Sequence, residues 1–205
     1  MSFYQSIYKL LARPLRAMFR VQVVGGEKLP QERGCILCAN HTSMLDVLII
    51  SAGLNRQVRY MAKKELFKIP LFGKLITALG AYPINRGGAD VASIRKTIRF
   101  VEEGQLVGIF PQGTRCPGVD PRKTQVKHGA GMLAYHTKCD VVPVYIQTKK
   151  NKARFFRKTR LLVGDILPYE SLNFEQGGIQ EYKAATEKIF AAVCALDGKE
   201  TGETV

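Results

Sequence analysis

Apolar positions along this chain follow two different periods. Compact runs rich in β-branched residues recur at 21–24 (VQVV), 34–39 (GCILCA), 58–61 (VRYM), 80–84 (GAYPI), 106–110 (LVGIF), 141–147 (VVPVYIQ) and 159–164 (TRLLVG). Their length and composition predict strands. Between them, stretches at about 44–53, 64–79, 88–103, 128–138 and 178–196 carry helical patterns, with Pro70 kinking or dividing the second. The alternation predicts an α/β fold with a mixed, largely parallel sheet covered by helices. In such folds active sites gather beyond the carboxyl ends of the strands. No internal repeat or low-complexity tract interrupts the succession, and nothing marks a second domain.

Ahead of the first strand, Phe3, Ile7, Leu10 and Leu11 share a helical face, and Leu15, Met18 and Phe19 continue it beyond Pro14. Proline inside the pattern predicts a kink or two short helices, broken near Arg13–Pro14. Lys9, Arg13, Arg16 and Arg20 are interspersed. Two readings fit: a helix docked on the body, or an interfacial helix whose cations meet anionic headgroups.

Composition narrows the class. At 205 residues and 46% hydrophobic, the chain has the size of one compact domain and enough apolar mass for a core, which excludes intrinsic disorder. No stretch approaches 18 uncharged, mostly apolar residues, as a membrane-spanning helix requires. The N-terminus lacks an uninterrupted signal-peptide core and a small-residue cleavage site. The formal net charge of +14 is uneven: residues 1–164 carry 28 Lys/Arg against 9 Asp/Glu, and residues 165–205 carry 3 against 8. A nucleic acid, an acidic carrier protein, an anionic membrane surface or a phosphorylated small molecule could exploit such a field. Two basic groups stand out. Lys149, Lys150, Lys152, Arg154, Arg157, Lys158 and Arg160 surround Phe155–Phe156, and Arg56, Arg59, Lys63, Lys64, Lys68 and Lys74 flank Leu66, Phe67, Ile69, Leu71 and Phe72. Five cysteines, an odd number without a disulfide framework, fit a reducing compartment. Cys35 and Cys38 form a C-x-x-C, but a strand sends those two sulfurs to opposite faces, which argues against redox or zinc chemistry. The fingerprints G-x-G-x-x-G, G-x-x-x-x-G-K-[ST] and G-x-S-x-G are absent.

Candidate chemistry lies just beyond three strands. Asn40-His41-Thr42-Ser43-Met44-Leu45-Asp46 follows the second. A histidine there can accept a hydroxyl proton, and a carboxylate on its second ring nitrogen would fix the tautomer. Ser43 and Asp46 also match a capping box, so the same aspartate could serve the helix start, alone or together with the catalytic role. Arg86, in Tyr82-Pro83-Ile84-Asn85-Arg86-Gly87-Gly88, is placed to bind phosphate or to sit exposed in a turn. Phe110-Pro111-Gln112-Gly113-Thr114-Arg115 delivers a polar group, a glycine and a second arginine.

Together these blocks resemble the glycerolipid acyltransferase superfamily, in particular the bacterial 1-acyl-glycerol-3-phosphate acyltransferases. NHTSMLD is similar to the H-x4-D motif, YPINRG to the second block, FPQGTR to the third (usually F-P-E-G-T-R) and VVPVYI to the fourth. With the G-x-x-L-P stretch at Gly26–Pro30, the resemblance spans about residues 24–146. It implies His41 as general base, Asp46 as its orienting partner, and Arg86, Gln112, Gly113, Thr114 and Arg115 as substrate-binding residues, with Pro143 near the acyl site. It implies an O-acyltransferase using acyl-ACP or acyl-CoA to convert lysophosphatidate into phosphatidate, with no cofactor and no metal. The expected division is an amphipathic helical membrane-association segment over residues 1–20, from its apolar face and cations, and the acyltransferase domain over 21–205. The expected setting is the cytoplasmic face of the membrane, peripheral or monotopic, with the anionic surface as a partner and nucleic acid not expected as one. Backbone amides near Gly113 are candidates for holding the oxyanion. Gln112 departs from the usual glutamate: an amide keeps the size and hydrogen-bonding capacity but not the charge. Competing expectations are a relative with another lysolipid or glycerol-phosphate acceptor, or a non-catalytic basic protein that binds membrane or nucleic acid.

Overall fold

The structure, a computed structural model, describes residues 12–54, 56–84 and 91–198. A helix over 12–18 (α1) leads into β1 (Val21–Val24), β2 (Cys35–Ala39), α2 (Asp46–Gly53), β3 (Val58–Lys63), α3 (Phe72–Ala78), β4 (Ala81–Ile84) and α4 (Val91–Glu102). There follow β5 (Leu106–Ile109), α5 (Gly129–Thr137), β6 (Val141–Thr148), β7 (Thr159–Val163) and α6 (Ile179–Ala195). The strands form one sheet in the order β1-β7-β6-β2-β5-β3-β4. Every neighbouring pair is parallel except β6 and β7, so β1 and β7 run against the other five. This is the α/β architecture with a mostly parallel sheet that the pattern predicts.

The burial of β2 explains its central place. All five of its residues are buried, and they alternate between two cores. Ile36 and Cys38 face α5 and α6 with Val107, Val141, Leu133 and Ile189. Cys35, Leu37 and Ala39 face α2 and the N-terminal segment with Phe19, Ile49, Ile50 and Val144. The two C-x-x-C sulfurs therefore do lie on opposite faces of the sheet. Burial pushes the Cys35 thiol up to about 12 and that of Cys38 well above its ordinary range.

Two predicted helices are shorter than their pattern. The first begins at Asp46 rather than 44, because Ser43–Leu45 forms a turn in which the Ser43 hydroxyl accepts from the Leu45 N–H. The stretch 64–79 is divided, as Pro70 requires: a 3-10 turn over Lys64–Lys68, then α3. At the N-terminus, the described helix α1 starts at residue 12 and includes Arg13 and Pro14, and the segment before it, on which the expected break depends, lies outside the described residues. Its described part docks on the body. Phe19 is fully buried, Leu15 and Met18 pack beside it, and the Arg16 guanidinium donates to the Gly53 carbonyl at 3.0 Å.

Of the basic group around 56–74, Lys63, Lys64, Lys68 and Lys74 are exposed, while the two arginines are engaged by the protein itself. Arg56 donates to the carbonyls of Pro30, Arg33 and Gly104, clamping three loops. Arg59 donates to Gln105 at 2.6 Å and lies over the Phe100 ring. By contrast, Lys149, Lys150, Lys152, Arg154, Arg157 and Lys158 on the β6–β7 connection are all exposed. Part of the acidic C-terminal region reaches back to body cations, Asp165 to Lys28 and Asp197 to Arg122. Among the described residues no helix is long and apolar enough to cross a membrane.

Candidate active site

Adjacent parallel strands leave a sheet at the same edge, and this brings the first and third sequence blocks together. Cys38 of β2 lies opposite Ile109 of β5, so residues 40–46 and 110–116 emerge side by side. The first residue after β2, Asn40, is buried and spends its amide on β6: its carbonyl accepts from the Ile146 N–H at 2.7 Å and its NH2 donates to the Ile146 oxygen. That double bond-pair fixes where the chain turns, and His41 follows at the rim.

The His41 ring donates from Nδ1 to Asp46 Oδ2 at 2.9 Å, and the Asp46 side chain is fully buried. The direction of the bond follows from the surroundings. Asp46 Oδ2 also accepts from the backbone N–H groups of Thr42 (2.6 Å) and Ser43 (2.8 Å), and the Thr42 hydroxyl reaches Oδ1 at 3.3 Å. With these donors on it the carboxylate serves as the acceptor, so the ring bond places a proton on Nδ1, and in the neutral imidazole the lone pair is then on Nε2. The bond from the Ser43 N–H also ties Asp46 to the turn that precedes α2. Asp46 opens α2, where the helix dipole favours its charge, and serves the helix and the imidazole at once.

The third block grips His41 on three sides. Phe110 stacks on the imidazole with ring centroids 3.9 Å apart and planes 13° from parallel. The Gln112 Oε1 accepts from the His41 N–H at 2.6 Å, and the Cys116 N–H donates to the His41 carbonyl at 2.8 Å. Both backbone polar groups of the histidine thus belong to the 110–116 loop. Gln112 is itself buried, 3% exposed, and its NH2 donates to the Thr124 hydroxyl at 2.8 Å. The amide orientation is forced, since only its oxygen can face an N–H. Gln112 is engaged on both sides by the protein's own groups.

Gly113 takes φ +65, a conformation costly for any residue with a Cβ, and turns the loop back under Lys127. Its N–H donates to the Phe110 carbonyl at 2.9 Å, so that amide is committed to the turn and is not free to bind an oxyanion. Thr114 and Arg115 are exposed on the same loop, and among the described residues the Arg115 guanidinium has no hydrogen-bond or ion-pair partner. Arg86 lies outside the described residues. Pro143 is a buried residue of β6, opposite Cys38. Cys116 gives its N–H to the His41 carbonyl.

Three residues of this constellation escape a reading of the sequence. Phe110 reads as strand end, Asn40 as a turn polar, and Thr124 as an anonymous loop hydroxyl. Lys127, whose side chain runs along Gly113 and whose N–H donates to the Pro111 carbonyl at 2.8 Å, adds a cation beside the loop. Its only sequence signal is the general basicity of the region.

Among the described residues His41 Nε2 has no hydrogen-bond partner, and a histidine so placed, with a carboxylate behind it and an exposed arginine on the neighbouring loop, can deprotonate a hydroxyl whose owner carries negative charge. Comparison with known proteins agrees in kind. The sequence profile described as Acyltransferase matches residues 20–147. A Bacillus subtilis (strain 168) protein named 1-acyl-sn-glycerol-3-phosphate acyltransferase is 31% identical over 201 residues, covering 94% of this chain and 98% of the relative. A protein of the same name from Borreliella burgdorferi is 30% identical over 137 residues, 66% of this chain and 54% of that one. The crystal structure of the 1-acyl-sn-glycerophosphate acyltransferase PlsC from Thermotoga maritima superposes with a TM-score of 0.70, covering 98% of this chain and 84% of that one. At 24% sequence identity that likeness is one of fold.

Proposed function

Because this chain belongs to the acyltransferase family, we propose that it transfers an acyl group from acyl-ACP or acyl-CoA to the free hydroxyl of 1-acyl-glycerol-3-phosphate, forming phosphatidate. The observation that carries the proposal is the His41–Asp46 pair: Nδ1 held by a fully buried carboxylate, Nε2 left as acceptor. Nε2 takes the hydroxyl proton as the oxygen attacks the thioester carbonyl. The new C–O ester bond forms, the C–S bond breaks, and the leaving thiolate takes the proton back from the imidazolium, whose charge Asp46 offsets in the interval. The thioester is already activated, so no acyl-enzyme is required. Arg115 and Arg86 would hold the acceptor's phosphate and set the angle of attack. The naming of the Bacillus and Borreliella relatives supports this acceptor over other lysolipids.

The proposed setting is an anionic membrane surface on its cytoplasmic side, where the enzyme lies peripherally. β6 runs parallel to β2 and β5, so its connection to β7 emerges at the same sheet edge as His41. That connection exposes Phe156 (74%) and half of Phe155 among its lysines and arginines, and beyond β3 the same edge exposes Leu71 (80%). Aromatic side chains ringed by cations suit insertion at a headgroup boundary. The five cysteines, all unpaired, suit the reducing side.

Phosphatidate formation from lysophosphatidate and each thioester, measured against a panel of other lysolipids and glycerol 3-phosphate, tests the acceptor. His41→Ala should lower kcat by about a thousandfold with the fold intact, and a folded variant with full activity would overturn the assignment. Co-sedimentation with phosphatidylglycerol vesicles tests the setting: replacing Phe155 and Phe156 by serine should weaken binding about tenfold, and undiminished binding would remove the loop from the interface.

A further inference from the structure

We infer that Thr124 is a positioning residue for His41, acting through the buried Gln112 amide. The inference rests on the proposed reaction for its catalytic consequence, though not for its geometry. Thr124 closes a 3-10 turn over Pro121–Lys123, 12 residues beyond Gln112 and far along the chain from the histidine. Its hydroxyl hydrogen goes to the Pro121 carbonyl at 2.7 Å. Toward Gln112 it therefore presents a lone pair, which an amide NH2 satisfies at 2.8 Å. The amide is then held with its oxygen on the His41 N–H at 2.6 Å. The result is a directional chain: His41 N–H to Gln112, Gln112 to Thr124, Thr124 to Pro121.

Each link has one workable polarity. His41 N–H is a donor and needs the amide oxygen; the opposite end of the amide is then a donor and needs an acceptor. Thr124 supplies it, and because Gln112 is 3% exposed, bulk water does not readily substitute. This also accounts for the glutamine standing where the resembling sequences carry glutamate. What position 112 delivers to His41 is an acceptor, and an amide delivers one provided its NH2 is occupied elsewhere. With a glutamate at 112 the second oxygen would face the Thr124 oxygen, and the hydroxyl would have to rotate away from Pro121 to donate. The threonine tolerates either partner by turning its proton, whereas a valine tolerates neither.

The experiment combines a kinetic cycle with an exchange measurement on the full-length protein. Thr124→Val should lower kcat about tenfold with KM for both substrates unchanged, since one buried hydrogen bond is lost and nothing that touches substrate is altered. Thr124→Ser keeps the hydroxyl and should stay within about twofold of wild type. In a Gln112→Ala background, Thr124→Val should have no further effect on kcat, because the path through the amide is already cut. Hydrogen exchange of the His41 backbone amide, followed by NMR, should accelerate about tenfold in Thr124→Val and Gln112→Ala and remain slow in Thr124→Ser. Equal kcat losses from Thr124→Val in both backgrounds, or unchanged His41 exchange in a folded Thr124→Val protein, would overturn the inference. If wild type transfers no acyl group, the proposed function fails, and the exchange data alone decide the brace.

Discussion

Asp46→Asn separates the charge of the Asp46 carboxylate from its geometry, because the surroundings dictate how an asparagine must sit. The Oδ2 position accepts from Thr42 N–H and Ser43 N–H as well as from His41 Nδ1, so the asparagine oxygen has to occupy it. Its NH2 then points at the Thr42 hydroxyl, 3.3 Å from Oδ1, which can accept. The Nδ1 proton keeps an acceptor and Nε2 stays unprotonated. What disappears is the negative charge behind the imidazolium. Two unit charges about 4 Å apart attract by about 4 kcal/mol at an effective dielectric of 20. Losing that attraction where the imidazolium forms should slow turnover about a thousandfold. Steady-state phosphatidate formation at saturating substrates reads kcat directly, with thermal unfolding alongside to confirm a native fold. A folded Asp46→Asn enzyme within tenfold of wild-type kcat would refute the reasoning: Asp46 would then be a helix-start residue that merely touches the histidine.

Other expectations follow from features away from the proton path. Gly113→Ala imposes a Cβ at φ +65, costing about 1–2 kcal/mol, and displaces the Lys127 side chain; urea unfolding should show the loss, and an unchanged midpoint would mean the loop relaxes freely. Phe19→Ala removes a fully buried ring from the core between α2 and the sheet and should cost about 3–5 kcal/mol by the same measurement; a cost below 1 kcal/mol would mean the N-terminal segment is not part of the folding unit. Cys35 titrates near 12 in the native state against 9.0 as its reference, so unfolding releases its proton more easily. Stability should hold up to about pH 9 and fall as the pH rises toward 12. A flat profile over that window, or rapid alkylation of Cys35 in native protein at pH 8, would contradict its burial.

Strand positions were readable because each buried run is short, apolar and bounded by breakers, and Pro70 announced the division of 64–79. The pairing of His41 with Asp46 was readable for a similar reason: four intervening residues leave few geometries, and Asp46 does accept from both Ser43 and His41, the two roles the spacing allowed together. The contacts that fix the histidine's surroundings were not readable. Gln112 lies 71 residues from His41, and Asn40 lies 106 from Ile146. Such bonds depend on which strands become neighbours, and strand order is not a property of any local window. Arg56 illustrates the opposite failure. Composition counts it in a cationic patch, yet three carbonyls from two other loops hold it, since a guanidinium satisfies buried carbonyls as readily as it meets anions. Of the backbone amides near Gly113, that of Gly113 itself is given to the Phe110 carbonyl, a local turn bond that the sequence does not announce.

The grip of the 110–116 loop on both backbone groups of His41 bears on when the molecule becomes competent. A histidine and its aspartate are complete within one local stretch and could pair early, while the polypeptide is still emerging or incompletely compacted. The acceptor for the His41 N–H, the donor for its carbonyl and the ring that flanks it all come from beyond β5, and closing a loop of that span is among the slower events of folding. On the proposed mechanism, a partly assembled chain would therefore hold His41 unaligned. Recovery of transfer activity during refolding should lag behind the compaction of α2 on β2 and should not precede docking of β5.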